Sequence, residues 1–395
     1  MKCGSSRERM LAALRCQEPD HVPLLFKPFG FKPPARLRWS NQVEQAQRWL
    51  SLELDAWLDV FAPTAFHPDV TIRQWEERVP GELWPCMIKE YHTPAGVLRQ
   101  EVFKTEDWDS PHWPAHAVGG VELFDDCNVP RYRKCMIETE ADLAKLKYLF
   151  HPPSAEAIAQ FREGAAALAR QAAELGVVLV GNGPNGVDAA IWVCGVTPAV
   201  LMAVDQPEMF QALMEIIHEQ DRRTTAMLLE TPVDLIMRRG YYEGTSFWSP
   251  DLHRRFFMPR VRDLANVVHQ GSRLLGYTMS VGYMPLLTSF PEMGCDVHFL
   301  LDPLPDGERV DLHRVKSAYS GRTAVLGGLN APITLERGTR EQIRQEVFDS
   351  VAALGPGGGL ALTAAEAIFA TTPWKSITAA IAAWKEVRDY PLARA

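Results

Sequence analysis

The stretch from Gly357 to Trp374 reads GGGLALTAAEAIFATTPW. Three glycines precede a short apolar run, Leu360 to Leu362, whose brevity predicts the last strand of a larger sheet. Glu366 follows it and is the only ionisable residue before Lys375. The TTPW end of the stretch predicts a helix start, with hydroxyls at the cap and Pro in the first turn. A carboxylate just beyond the carboxyl end of a parallel strand is where α/β enzymes place functional groups, and a solvated loop glutamate is the alternative.

Composition and charge describe an ordinary globular protein. The 395 residues are 47% hydrophobic and 23% charged, with a net charge of −8 and a pI near 5.8. The acidic balance argues against nucleic acid or an anionic membrane as the main partner. No apolar run is long enough to span a membrane, and the start MKCGSSRERM lacks the apolar core of a signal peptide, so we expect a cytoplasmic protein. The seven scattered cysteines form no CxxC pair, which predicts reduced thiols.

Short apolar runs alternate with helical segments along most of the chain. Such alternation predicts parallel βα units, and eight of them predict a closed (β/α)₈ TIM barrel. Residues 63–129 break the rhythm with aromatic, Pro-rich and alternating pieces, which predict an antiparallel insertion after the second strand. We therefore expect a single barrel domain over residues 1–395. The eight predicted strands are Val22–Phe26, Ala56–Phe61, Val177–Val180, Asp234–Met237, Leu274–Met279, Val297–Leu301, Ala324–Gly328 and Leu360–Leu362.

Five sequence blocks carry a family resemblance. They are RERMLAALRCQEPDHVPLLF (7–26), GNGPNGV (181–187), SPDLHRRFFMPRVRDL (249–264), LGGLNAPITLERGTREQI (326–343) and the stretch at 357–374. In order and spacing the chain resembles the uroporphyrinogen decarboxylase superfamily, which includes cobalamin-dependent methyltransferases. The resemblance covers nearly the whole chain apart from the insertion, and it implies the same barrel.

The chain departs from the decarboxylase branch of that family. The resemblance implies that two arginines after the first strand and an aspartate after the second hold the porphyrinogen there. The corresponding positions here are Lys27, Phe31 and roughly Pro63, and the late histidine of the decarboxylases falls on Glu366. One cation in place of an arginine fork is a poor match for a substrate with several carboxylates.

The chain also departs from the thiol-methylating branch. The resemblance implies a zinc site there, built from a His-x-Cys pair and a later cysteine. The pair corresponds here to Thr278 and Ser280, and the later cysteine to Glu366. Hydroxyl groups are poor zinc ligands, so the zinc site is not carried over and no metal ligands are assigned.

The resemblance that remains is to corrinoid methyltransferases. It implies transfer of a methyl group from a small methylated substrate, a methoxyarene, to cob(I)alamin that is free or held by a separate corrinoid protein. The enzyme has to bind the methyl donor and assist the leaving oxygen. Glu366 is predicted to act as the acid and Glu243 as a second carboxylate or a metal ligand. Tyr242 is predicted to be a phenol that bonds to the aryl oxygen or stacks on the ring. The alternative for Glu243 is a loop carboxylate that neutralises Arg238 or Arg239, and these arginines are either its partners or binders of a substrate carboxylate.

Further polar and aromatic residues follow predicted strands and are candidates for substrate binding. Each has a structural alternative, such as a loop cap, a turn, helix-start packing or a small residue that leaves room at the end of the barrel. These candidates are Lys27, His67, Asn182, Thr278, Trp248 and Tyr283.

Two other functions stay open. One is a decarboxylase for a smaller carboxylated substrate, which a cluster of arginines at the open end of the barrel would favour. The other is a barrel without catalytic activity that binds a ligand. The methyl donor and the oligomeric state, including a homodimer, are left open by the sequence.

Overall fold

The computed structural model describes residues 4–108, 121–319 and 321–392. Residues 109–120 of the predicted insertion lie outside this range. The chain divides into two compact units. Unit 1 comprises Met1–Ala62, Phe161–Gly183 and Thr225–Ala395, and unit 2 comprises Pro63–Gln160 and Pro184–Thr224.

The strands are short, as the apolar runs predicted. In chain order they are β1 (Pro28–Phe29), β2 (Trp57–Phe61), β3 (Thr71–Glu77), β4 (Cys86–Thr93), β5 (Gly96–Phe103), β6 (Tyr132–Lys134), β7 (Val178–Asn182), β8 (Leu235–Arg238), β9 (Leu274–Thr278), β10 (Val297–Leu301), β11 (Ala324–Leu329), β12 (Leu360–Ala364) and β13 (Ile368–Phe369).

The α-helices are more varied in length. They are α1 (Ser6–Leu14), α2 (Gln42–Leu50), α3 (Glu140–Leu146), α4 (Ala155–Leu175), α5 (Val187–Cys194), α6 (Val196–Asp205), α7 (Pro207–Leu229), α8 (Pro250–Leu252), α9 (Met258–Gln270), α10 (Ser289–Met293), α11 (Leu312–Tyr319), α12 (Arg340–Leu354) and α13 (Trp374–Val387).

Unit 1 contains a parallel sheet with the strand order β12-β11-β10-β9-β8-β7-β2. The predicted first strand, Val22–Phe26, forms no regular ladder, but it bonds to both edges of this sheet. Leu24 forms a parallel bridge with Leu362 of β12, and on the other side its carbonyl accepts the N–H of Asp55, at 2.8 Å, just before β2. The segment therefore lies between the two edge strands and takes the place of an eighth strand. The TIM-barrel-like α/β fold is confirmed.

Helix α1 fills the amino-terminal end of the barrel. Its Met10, Leu11 and Leu14 belong to the same apolar cluster as the inward-facing residues of the strands, among them Val180 and Met237. The larger apolar cluster lies between the outer face of the strands and the helices. Inward and outward residues alternate along each strand, as the pleat requires.

Unit 2 contains an antiparallel sheet with the order β3-β4-β5-β6. Strand β3 pairs with β4 over its full length, from Thr71 opposite His92 to Glu77 opposite Cys86. The predicted antiparallel structure is thus present as a separate sheet. This sheet extends beyond the predicted boundary at residue 129. Its last strand, β6, pairs with β5 through Tyr132 opposite Val102, next to a bulge.

The helices differ from the sequence pattern at three places. The sequence predicts one helix over Pro250–His269, but a π-helical turn at His253–Phe257 interrupts it. The sequence does not predict α5. The cap of α13 is Pro373 without a side-chain hydrogen bond, while the Thr372 hydroxyl accepts the N–H of Phe369 instead. Among the described residues no single helix could cross a membrane by length and composition, and only the bent pair α5 and α6 passes that test together.

A buried carboxylate joins three elements where the barrel closes. Asp55 is fully buried, and its side chain accepts hydrogen bonds from Arg9 of α1 at 2.8 Å and from the Leu24 N–H at 3.2 Å. Arg9 also binds Asp20 at 2.8 Å. One carboxylate just before β2 thus links α1, which we call the plug helix, to the segment Val22–Phe26, which we call the closing segment.

We expect Asp55→Ala to lower the free energy of unfolding by about 3 kcal/mol, because it leaves buried donors without their acceptor. Urea unfolding followed by circular dichroism measures the change. The control is Asp251→Ala, which removes a side chain that is 85% exposed and should cost less than about 0.5 kcal/mol. Equal effects of the two substitutions would contradict the role of Asp55.

Candidate functional site

The inward-facing side chains change from apolar to polar at the carboxyl ends of the strands. In β7, Val180 lies inside the barrel, so alternation places Asn182 on the same face one step further on. In the same way, Met237 of β8 is followed by Arg239. We call this end of unit 1 the barrel mouth, and it carries Lys27, Asp59, Asn182, Arg239, Thr278, Ser280 and Glu366.

A short hydrogen bond joins two side chains of the mouth. The Ser280 hydroxyl donates to Glu366 Oε1 at 2.6 Å. Ser280 is 2% exposed, and Glu366 is half-buried. These residues are 86 positions apart in the sequence, and both occupy positions that the family resemblance associates with zinc in thiol-methylating relatives.

The backbone around Glu366 is held from both sides. The N–H of Ala365 donates to the Leu329 carbonyl at 2.6 Å, and the N–H of Ile368 donates to the Lys27 carbonyl at 2.9 Å. Between these bonds Glu366 adopts φ +71°, a left-handed conformation that a side chain with a β-carbon disfavours. Strain of this kind is common at functional sites, where the surroundings enforce it.

Lys27 places an ammonium beside this carboxylate. The Nζ atom lies 5.6 Å from the centre of the Phe299 ring, and it donates no hydrogen bond to any residue within the described ranges. Burial lowers the pKa of the Lys27 ammonium. The charges of Asp59 and Glu366 oppose this shift in pKa, whereas the charge of Arg239 adds to it. Three charged groups of the mouth therefore act on the Lys27 ammonium.

Asp59 was missed by the sequence analysis. Asn182 Nδ2 donates to Asp59 Oδ1 at 2.8 Å, and Trp57 Nε1 donates to Asp59 Oδ2 at 3.0 Å. The available signal was a lone aspartate at an inward position of the apolar run WLDVF. Asn182, which was predicted, lies at the mouth and holds this carboxylate in place.

Glu243 lies in a different environment from Glu366. Its two carboxylate oxygens accept hydrogen bonds from Arg238, at 2.8 and 2.7 Å, and the Tyr277 hydroxyl donates to it as well. All three side chains are buried. Tyr277 belongs to the cluster on the outer face of the strands, whereas Ser280 and Glu366 lie on the inner side. The alternative considered for Glu243, neutralisation of Arg238, is what the geometry provides.

The predicted aromatic residues of unit 1 are held by internal contacts. Trp248 is buried and its Nε1 donates to the Tyr242 carbonyl at 2.5 Å, while the Tyr242 ring lies 5.5 Å from that of Phe247. The buried Tyr283 donates its hydroxyl to the Asp302 carbonyl at 2.6 Å. Contacts with substrate by these residues stay predictions.

Thr278 and His67 complete the predicted set. Thr278 is buried at the end of β9, on the inner face. His67 belongs to unit 2, where its ring lies 4.8 Å from the ring of His151 and its Nδ1 accepts the N–H of Asp69 at 3.2 Å. Its role in a pocket stays a prediction.

The donor set of the mouth does not fit the zinc site of the thiol-methylating relatives. Two of the three corresponding positions are hydroxyls, and the Ser280 hydroxyl is already bonded to the single carboxylate, Glu366. In the described part of the chain, no group of three His, Cys, Asp or Glu side chains is arranged to hold a metal ion. The residues of the mouth therefore do not support a reaction step that depends on zinc held in that way.

A second buried polar network lies at the ends of β10 and β11. Glu346 of α12 accepts hydrogen bonds from the Asn330 N–H at 2.7 Å and the Thr334 hydroxyl at 2.8 Å. The Asn330 amide donates to both carboxylate oxygens of Asp302, at 3.0 and 2.9 Å. Burial raises the pKa of Glu346 to about 7, against the effect of its two hydrogen bonds.

Comparisons with known proteins give a family and a fold. The family model of uroporphyrinogen decarboxylase (URO-D) matches residues 112–387. A solved methyltransferase from Methanosarcina mazei is similar with a TM-score of 0.56 and 17% identity, over 97% of this chain and 98% of that chain. A 3-keto-D-glucoside 4-epimerase from E. coli has a TM-score of 0.35 and 12% identity, over 57% of this chain and 84% of that one. No curated protein sequence matches the chain.

The left-handed backbone at residue 366 predicts a difference between two substitutions. Both Glu366→Ala and Glu366→Gly remove the carboxylate, but only glycine adopts φ +71° without a steric cost. We expect the glycine variant to be more stable than the alanine variant by about 1 kcal/mol. Urea unfolding of both proteins measures this difference. Equal stability, or a more stable alanine variant, would show that the conformation is not strained.

The raised pKa of Glu346 predicts a pH dependence of stability. Since the folded state holds the proton more tightly than the unfolded state, this stabilisation is complete below pH 4.5 and is lost as the pH rises through about 7. We expect the free energy of unfolding of the native protein to fall by roughly 3 kcal/mol relative to Glu346→Gln across that window. Urea titrations at several pH values measure it, and parallel curves for the two proteins would contradict it.

Proposed function

The chain belongs to the uroporphyrinogen decarboxylase family, and we propose that within this family it is a methyltransferase. In this proposal it takes a methyl group from a small methylated substrate, a methoxyarene, and passes it to the cobalt of cob(I)alamin, which a separate corrinoid protein supplies. The fold shared with a methyltransferase supports the choice of reaction class.

The observation that carries this proposal is the hydrogen-bonded pair of Ser280 and Glu366 beside the Lys27 ammonium. By the family resemblance, these positions correspond to a thiol-activating metal site, but in this chain they carry a carboxylate and hydroxyl groups. Such groups suit a substrate whose leaving atom is oxygen, because oxygen needs a proton or a nearby positive charge as it departs.

The reaction breaks the bond between the methyl carbon and the aryl oxygen. Bound cob(I)alamin would supply the electron pair for the new bond to carbon, and the aryl oxygen would leave with the pair of the old bond. We assign Glu366 as the group that delivers the proton to this oxygen. The Lys27 ammonium stabilises the negative charge that develops there. Asp59, held by Asn182 and Trp57, favours the charged form of the Lys27 side chain.

Decarboxylation of a small carboxylated substrate is the second candidate. The observation in its favour is the presence of two cations, Lys27 and Arg239, at the barrel mouth. They would pair with a substrate carboxylate. The Asp59 carboxylate at the same mouth already acts on the Lys27 charge, which favours methyl transfer.

The test is anaerobic methyl transfer from a panel of methoxyarenes and methylamines to cob(I)alamin, followed by the loss of its absorption band. It is run with free cob(I)alamin and with added corrinoid proteins. We expect methylcobalamin from one donor class, and we expect Glu366→Gln to slow its formation by about 10²- to 10⁴-fold, the usual contribution of a general acid.

The matched control is Glu336→Gln. Glu336 also accepts a hydroxyl hydrogen bond, from Thr371 at 2.6 Å, but this bond is exposed to solvent. This variant should transfer methyl groups at the native rate. Absence of transfer with every donor and corrinoid protein, together with CO₂ release from a carboxylated arene, would contradict methyl transfer and favour decarboxylation as the function.

A further inference from the structure

Two consecutive arginines at the end of β8 have opposite surroundings. Arg239 is half-buried at the barrel mouth, where its charge acts on Lys27, and its guanidinium lies 4.8 Å from the centre of the Tyr241 ring. Arg238 is 1% exposed and lies over the ring of Tyr277 at 5.1 Å on the outer face of the strands. The alternation of a strand explains the opposite directions.

The buried arginine holds the backbone of its neighbour. One terminal nitrogen of Arg238 donates both to the Arg239 carbonyl, at 2.9 Å, and to Glu243, at 2.8 Å. The other terminal nitrogen donates to the second oxygen of Glu243 at 2.7 Å. A planar guanidinium with two parallel bonds to a carboxylate has little freedom to rotate, so the position of Glu243 fixes the carbonyl of Arg239.

The loop between these residues is closely packed. The N–H of Glu243 donates to the Gly240 carbonyl at 3.1 Å, which makes a tight turn. A β-carbon at Gly240 would collide with the Tyr277 ring, and one at Gly244 would collide with the Val281 carbonyl. Glycine at both positions thus lets the loop lie directly on the segment that continues from β9.

The same carboxylate ties this loop to the segment that carries Ser280. Tyr277 of β9 donates its hydroxyl to Glu243. Further along, the N–H of Thr245 donates to the Gly282 carbonyl at 2.9 Å, and the Thr245 hydroxyl donates to the same carbonyl at 2.7 Å. Two adjacent loops of the mouth are therefore joined through groups that lie outside it.

We infer that Glu243 is a positioning residue: through Arg238 and Tyr277 it fixes the loop that presents Arg239 to the barrel mouth. A buried ion pair of this kind adds little net stability compared with apolar residues, but removal of one partner leaves the other charge without compensation. The position of Arg239 therefore depends on a carboxylate on the opposite face of the strand. This inference concerns the arrangement of the mouth and applies to either reaction considered above.

The test uses phenylglyoxal, a reagent for guanidinium groups, with the site and rate of modification read by peptide mass spectrometry. In Glu243→Gln we expect Arg239 to react several-fold faster than in the native protein, because its loop is released. Arg254, whose side chain is 59% exposed, should react at the same rate in both proteins. The readout needs no substrate, so failure of the proposed methyl transfer would leave its result unaffected.

Two further variants separate positioning from a general loss of stability. Glu386→Gln removes the carboxylate of an exposed pair with Arg344 at 2.8 Å and should leave the rate at Arg239 unchanged. Glu243→Asp keeps the charge and should react more slowly than Glu243→Gln. A folded Glu243→Gln protein with the native rate at Arg239 would overturn the inference.

A milder variant covers the case in which Glu243→Gln does not fold. Tyr277→Phe removes one hydroxyl that donates to Glu243 and keeps the ion pair with Arg238. We expect a smaller but measurable increase in the rate at Arg239. An unchanged rate in this variant, when Glu243→Gln is unfolded, would count against the inference.

Discussion

Closure of the barrel depends on backbone hydrogen bonds from a segment that is too irregular to be a full strand. Leu24 bonds to β12 on one side and to Asp55, two residues before β2, on the other. Without it, two strands would present unpaired edges. Asp55 adds a buried carboxylate at the same point, which joins this segment to the plug helix. Because the strands of this sheet are all parallel and form a closed barrel, their carboxyl ends meet at the barrel mouth.

The set of polar side chains at the barrel mouth depends on this closure. Ser280 and Glu366 belong to loops after β9 and β12, and Lys27 follows the closing segment. Only a closed barrel brings the first and last strands together, so that the backbone beside Glu366 bonds to Lys27. The result is a compact group of two cations and two carboxylates above an apolar interior, where charges interact more strongly than in water.

Two carboxylates that look alike in the sequence have different physical roles in this arrangement. Glu366 meets a hydroxyl on the inner side of the barrel, in a strained backbone conformation. Glu243 meets a guanidinium and a phenol on the outer side. We propose that the first touches a ligand and that the second holds the structure that the ligand meets.

The sequence alone determined the order and type of the strands, since apolar runs with helices between them have few other ways to fold. It also determined that Glu366 follows the last barrel strand, because only local spacing is needed for that conclusion. The family resemblance added the correspondence of Ser280 and Glu366. What only the tertiary structure decided was the direction and the partner of each side chain. Asp59 was overlooked within an apolar run. The contact between Tyr277 and Glu243 was not predicted, because Tyr277 lies 34 positions away and meets Glu243 only when β8 and β9 pair.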